Sequence, residues 1–98
     1  MSKSKKFMVI TTDSTKRGVF GGELVNYDKE NNTVILKNAH MAVYWSEKTH
    51  GVLGLASIGP QPGSRISPPV PSITLSGVTS VSECTPIAEE QWKKQIWD

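Results

Sequence analysis

Five of the six prolines in this 98-residue chain fall between Pro60 and Pro71. Proline lacks the backbone N–H that a helix or a ladder uses, so this stretch can be neither a regular helix nor a central sheet strand; it is an ordered loop or a sheet edge. The rest of the fold must therefore be assembled from what lies on either side.

On the N-terminal side the pattern is β-rich. Phe7 to Thr12 is a short apolar run closed by the turn chemistry of Asp13-Ser14-Thr15-Lys16. A second strand is expected from Arg17 to Tyr27, with Gly21-Gly22 marking a bulge or a close approach of another part of the chain. The polar loop Asp28 to Asn32 then returns the chain into Thr33-Val34-Ile35-Leu36, so Val19 to Leu36 reads as a β-hairpin. This strand continues past a bulge at Asn38-Ala39, where Met41, Val43 and Trp45 alternate with His40, Ala42 and Tyr44, giving one apolar and one mixed face.

Gly51 to Ile58 places Val52, Leu55, Ala56 and Ile58 near helical spacing and ends in Gly59-Pro60, a helix stop signal. Beyond the prolines, Ser72 to Cys84 alternates again, with Gly77 as the kink between two short strands. Thr85-Pro86 opens a last helix as cap and first residue, and Ala88, Trp92 and Ile96 share one of its faces. The expected class is α+β: a small antiparallel sheet or partly open barrel with one short internal helix and a C-terminal helix.

A chain of this length buries only ~60–65% of its unfolded surface. The core is therefore thin, and residues 1–98 read as one domain with 1–6 as a flexible basic terminus. Hydrophobic residues make up 37% and charged residues 20%, the balance of a soluble globular protein. No apolar run reaches the ~18–20 residues of a membrane span, nor does the start resemble a signal peptide, so a cytoplasmic location is expected. The single cysteine, Cys84, fits a reducing compartment and a place in a strand near the core. The net charge of +2 divides unevenly: the first seventeen residues carry five basic side chains (Lys3, Lys5, Lys6, Lys16, Arg17) against Asp13. One basic terminus is less than the broad face a nucleic-acid binder presents.

Catalytic chemistry is poorly represented. His40 and His50 stand ten residues apart without a carboxylate or cysteine at ligand spacing, and no metal or cofactor is expected. Gly63-Ser64-Arg65 lacks the setting of a nucleophile elbow, and no glycine-rich segment ends in the Gly-Lys-Ser/Thr of a phosphate loop. The chain reads as a non-enzyme.

Binding chemistry is better supplied. Tyr44 and Trp45, adjacent on a strand, point to opposite sides, so one enters the core and the other offers a ring for stacking, worth about 1–3 kcal/mol on a base. Arg65, the one basic residue between Lys48 and Lys93, sits on the proline-stiffened loop, suited to phosphate or carboxylate. Asn38, His40 and Ser46, with Ser64, could orient a base or ribose. The expected ligand-binding set is Asn38, Tyr44, Trp45, Ser46, Ser64 and Arg65.

The succession Gly18-Val19-Phe20-Gly21-Gly22-Glu23, Leu36-Lys37-Asn38-Ala39, Tyr44-Trp45-Ser46, Gly51-Val52-Leu53-Gly54-Leu55-Ala56, Gly59-Pro60, Arg65-Ile66 and Gly77-Val78-Thr79-Ser80-Val81 resembles a family of small phage and prophage proteins carried as a domain of unknown function. The resemblance implies a phage accessory protein in the cytoplasm of a bacterial host. By analogy with small oligomeric phage proteins that block host immunity, it implies an anti-defence sponge: a homo-oligomer sequestering a nucleotide-derived signal, such as a cyclic nucleotide or ADP-ribose derivative, without cleaving it. Two copies of the Pro60–Pro71 loop would close the site. The rivals are a protein–protein inhibitor or adaptor acting on a host defence enzyme, and a single-stranded nucleic-acid-binding module.

Overall fold

The computed structural model describes residues 6–13, 18–94 and 96. The expected features at Lys3, Lys5, Ser14, Thr15, Lys16 and Arg17 lie outside them. Six strands and two helices follow one another as β1 (Phe7–Thr12), β2 (Val19–Asp28), β3 (Thr33–Tyr44), a 3-10 turn (Glu47–Thr49), α1 (Gly51–Ser57), β4 (Arg65–Ile66), β5 (Val70–Ser76), β6 (Val78–Glu83) and α2 (Pro86–Lys94). The class is α+β.

All strand pairs are antiparallel, in the order β4-β3-β2-β1-β6, with β5 also alongside β3. β4 and β5 thus share one edge, β4 on the C-terminal half of β3 and β5 on its N-terminal half. β6 forms the other edge, yet only Gly77 separates it from β5. The open sheet must curl for one residue to join its two edges, and Gly77 takes the left-handed φ of +66° that the corner requires. Pro71 lies in edge strand β5, as a proline in a sheet demands.

The β2–β3 hairpin turns on Asp28, whose carboxylate accepts from the backbone N–H groups of Glu30 and Asn31 and from the Asn31 amide. The Asn31 side chain and backbone, in that order, hold this carboxyl below its usual range. Two extra residues interrupt the β2–β3 ladder: Val25 in β2, and one in β3 opposite Gly22. The second is the expected bulge at Asn38-Ala39, and it reverses the parity of β3. Val34, Leu36 and Ala39 line the concave face with Met8, Ile10, Leu75 and Val78, whereas Ala42 faces the helices.

That reversal decides which face of the Met41–Val43 segment is buried. His40 and Ala42, on the mixed face, are each 4% exposed; Met41 and Val43, on the apolar face, are 38% and 48% exposed. β1 is sandwiched: Met8 and Ile10 enter the concave core, while Phe7 and Val9 join Leu55, Ala56, Ile66 and Trp92 beneath the helices.

Trp92 fixes the helical layer. Its indole N–H donates to the Leu55 carbonyl at 3.0 Å, and its ring lies so close to Gly21 that a Cβ there would come within 2.9 Å of it. The Gly21 signal is therefore a close approach as well as a bulge neighbour. Thr85 caps α2, its hydroxyl accepting the Ala88 N–H at 3.0 Å. α1 stops as expected: Ile58 and Gly59 both donate to the Gly54 carbonyl, with Gly59 at φ +85° and packed against Ala88 and Gln91. Ile96 shares the buried side with Ala88 and Trp92 but lies past the helix, bridging to Ile66 in β4.

Candidate functional site

Five of the six expected site residues come together where β3 leaves the sheet. Tyr44 and Arg65 are partners across the β3–β4 ladder, after an irregularity between Ala42 and Tyr44. Opposed residues of an antiparallel pair share a face, with Cβ atoms about 4.5–5.5 Å apart. Both are exposed, Tyr44 at 54%, while Trp45 turns inward and packs against the core beneath the helices. Tyr44 is thus the ring on offer. Arg65 has a polar interaction of its own, and its five-donor fork has capacity for more than one acceptor.

Beside this ledge, hydrogen bonds tie residues 46–49 to 61–64. The Ser46 N–H donates to the Ser64 hydroxyl (3.1 Å), the Ser64 hydroxyl to the Gln61 carbonyl (2.7 Å), the Gln61 N–H to the Thr49 hydroxyl (3.0 Å), and the Thr49 N–H to the Ser46 carbonyl (3.0 Å). Ser64 is thereby committed to shaping the loop. The Ser46 hydroxyl oxygen is buried with no hydrogen-bond partner among the described residues, the one polar side-chain atom of that kind. A buried hydroxyl left unpaired costs about 1–3 kcal/mol, so this network is complete except at the residue nearest the ledge.

Asn38 stands apart. It is the bulge residue, at φ +50°, six residues before Tyr44 on β3, which at about 3.3 Å per residue puts up to about 20 Å between them. It borders a different hollow, a cleft of about 310 Å³ lined by Phe7, Glu23, Asn38, His40, Pro69, Lys93 and Ile96. His40 is its deepest polar member. The Nδ1–H of this ring donates to the Ser67 carbonyl at 2.9 Å, since a carbonyl only accepts, and the ring packs at 6.4 Å between centroids against both Phe7 and Trp92. Ser67 in turn is held to Met41: its hydroxyl accepts the Met41 N–H and its own N–H donates to the Met41 carbonyl.

Glu23 and Lys93 are the cleft residues that sequence reasoning passed over. Glu23 follows the glycine pair whose first member, Gly21, admits Trp92, which is the signal that could have placed it beside the helix. Lys93 is paired with Glu89 at 2.8 Å one turn earlier. Among the described residues no group of three or more His, Cys, Asp or Glu is arranged to hold a metal ion. Cys84 is half-buried, and burial, followed by the charge of Glu89, pushes its thiol up to about 12.

Comparison with protein families decides where the chain belongs. A model described as Domain of unknown function (DUF6948) matches residues 5–92. The chain is a member of that family. No curated protein and no solved structure matches it. The match spans the Tyr44–Arg65 ledge and the cleft residues Phe7, Glu23, Asn38, His40 and Pro69, and stops just before Lys93 and Ile96. No helix among the described residues is long and apolar enough to cross a membrane.

Proposed function

We propose that this family member is a non-catalytic capture protein for a nucleotide-derived small molecule, acting as a homo-oligomer, and that its setting is a phage accessory role in the cytoplasm of a bacterial host. The observation that carries the reading is the cross-strand pairing of an exposed Tyr44 ring with the Arg65 guanidinium, which puts a stacking surface and a planar anion-binding fork on one face. Together they fit the two ends of a nucleotide.

Both ledge residues are exposed, and sequestration needs a dry, enclosed site. A second copy laid over the Pro60–Pro71 segment would supply the missing wall, which is why the reading includes self-association. The direct test is thermal melting against cyclic nucleotides and ADP-ribose derivatives, with the ligand recovered after denaturation. At a hundred times the dissociation constant, a true ligand adds roughly 2.7 kcal/mol, a rise of about 10–20 °C in a domain of this size. Replacing Arg65 or Tyr44 by Ala should abolish most of that rise while leaving the unliganded melt within a few degrees. Ligand returned chemically altered would replace capture by catalysis, and a flat panel would move the assignment to a protein partner of a host enzyme.

A further inference from the structure

Thr49 is fully buried in a stretch that otherwise faces solvent: Glu47, Lys48 and His50 around it are exposed. A polar side chain taken so completely out of water needs its hydrogen bonds made, and here they tie two distant parts of the chain together. Its N–H donates to the Ser46 carbonyl at 3.0 Å and its hydroxyl accepts the Gln61 N–H at 3.0 Å. Its carbonyl presses on Gly54, which has no room for a side chain, so Thr49 is seated against α1. Gln61 is held on the same helix: Pro60 before it is buried, and its side-chain amide donates to the carbonyls of Ile58 and Gly59 at 3.2 and 3.1 Å. α1 itself is fixed to the core through Leu55, fully buried, whose carbonyl receives the Trp92 indole N–H.

The ledge needs such support. Tyr44 is the last residue of β3, reached across an irregularity in the ladder, and β4 is only two residues long. A ladder of two residue pairs contributes few hydrogen bonds, each of modest net worth. On its C-terminal side β4 is anchored by the buried Ile66 and by Ser67, whose hydroxyl accepts the Met41 N–H and whose N–H donates to the Met41 carbonyl. On its N-terminal side the anchor is Ser64, which accepts the Ser46 N–H and donates to the Gln61 carbonyl.

We infer that Thr49 is a positioning residue for the Tyr44–Arg65 ledge, acting through Gln61 and Ser64. This rests on reading the ledge as the capture site. The Thr49 hydroxyl fixes Gln61, Gln61 fixes Ser64, and Ser64 holds the chain on both sides of the ledge at once: it precedes Arg65 directly and binds Ser46, two residues past Tyr44. A stacking ring and a guanidinium recognise one ligand together only when their spacing is held, and buried hydrogen bonds behind the contacting residues are what hold it. The same geometry gives Ser64 a different task from the ligand contact expected of it, since its hydroxyl both accepts and donates within the network. Thr49 touches neither ring nor anion; it sets where they stand.

Two readouts on the full-length protein test this, one of them free of any ligand. NMR follows the nuclear Overhauser contact between the Tyr44 ring and the Arg65 methylenes, expected from Cβ atoms about 4.5–5.5 Å apart, and titration with ADP-ribose, far below the melting transition, follows capture. Thr49→Val keeps the shape and removes the hydroxyl; it should lose the contact and weaken ADP-ribose at least tenfold. Thr49→Ser returns the hydroxyl and should recover most of both losses. If Thr49→Val does not fold, Ser64→Ala carries the test and should lose the same contact. A Thr49→Val protein that melts lower but keeps the contact and the wild-type affinity would make Thr49 merely structural and overturn the inference. So would a Ser64→Ala protein that binds weakly with the contact intact, because Ser64 would then touch the ligand itself. Failure of ADP-ribose to bind the wild type, with a contact that still follows the Thr49 hydroxyl, would count against the capture reading and leave the positioning role standing.

Discussion

Two residues show how closely this small core is fitted. Gly21 has no side chain because the Trp92 indole occupies the space a methyl group would need, at 2.9 Å from an added Cβ. Gly21→Ala should therefore destabilise the protein by about 1–3 kcal/mol through overpacking, read as a lower denaturant midpoint, while Gly51→Ala, where the added atom meets open space, should cost less despite its φ of +83°. Equal losses at the two sites would mean that backbone conformation, not the indole, sets the demand. Cys84 illustrates burial acting on chemistry. With the native thiol raised to about 12, the unfolded chain ionises near the ordinary thiol value while the native one stays neutral, so the stability from this group is whole below that value and declines as pH climbs toward 12. Iodoacetamide at pH 8 should label the native protein far more slowly than the denatured one, and Cys84→Ala should flatten the alkaline decline. Fast native labelling would show that the thiol is open to solvent.

At the level of elements, the chain carries its instructions locally where turns and caps govern, and loses them where register governs. Thr85-Pro86 is legible because a hydroxyl and a fixed φ act within one turn, and the hydroxyl does accept the Ala88 N–H. Thr85→Ala should cost about 1 kcal/mol, with Thr85→Ser close to wild type in chemical denaturation. A Ser variant as weak as Ala would mean that the methyl group, not the cap, matters. The hairpin, the Asn38-Ala39 bulge, the α1 stop and the Gly77 corner are of the same local kind. The buried side of Met41 to Val43 is not, because alternation shows two faces without saying which meets the core; only the β2–β3 register and the helical layer settle that His40 and Ala42 go inside. The site divides likewise. Tyr44, Trp45, Ser46, Ser64 and Arg65 were legible as a group because they stand at the two ends of the single connection from β3 to β4, residues 45–64, which also carries the 3-10 turn and α1. Asn38 pairs instead with Glu23 and Lys93, which lie 15 residues before and 55 after it. No spacing in the sequence announces that meeting.

For the molecule as a whole, the curled sheet leaves one consequence of the capture reading open to direct measurement. Core residues fill the concave face and the space under the helices, and Tyr44 and Arg65 stand exposed outside both. The neighbouring surface is unusually apolar for an exposed strand: Met41 and Val70 border a hollow of about 250 Å³ lined also by Phe20, Ala39 and Ile73, and Val43 stands exposed two residues further along β3. If two copies close the ledge, this surface lies within reach of the contact, and a charge there would be buried without a partner, a cost of several kcal/mol. Val43→Lys should then reduce the assembly to monomers in light scattering and weaken ligand capture at least tenfold. Its melting temperature should stay within a few degrees of wild type diluted to the monomer, because Val43 is 48% exposed in one chain. A wild-type protein that stays monomeric at every concentration, with and without ligand, yet still binds a nucleotide tightly would show that one protomer suffices and that the ledge closes by movement of its own loop.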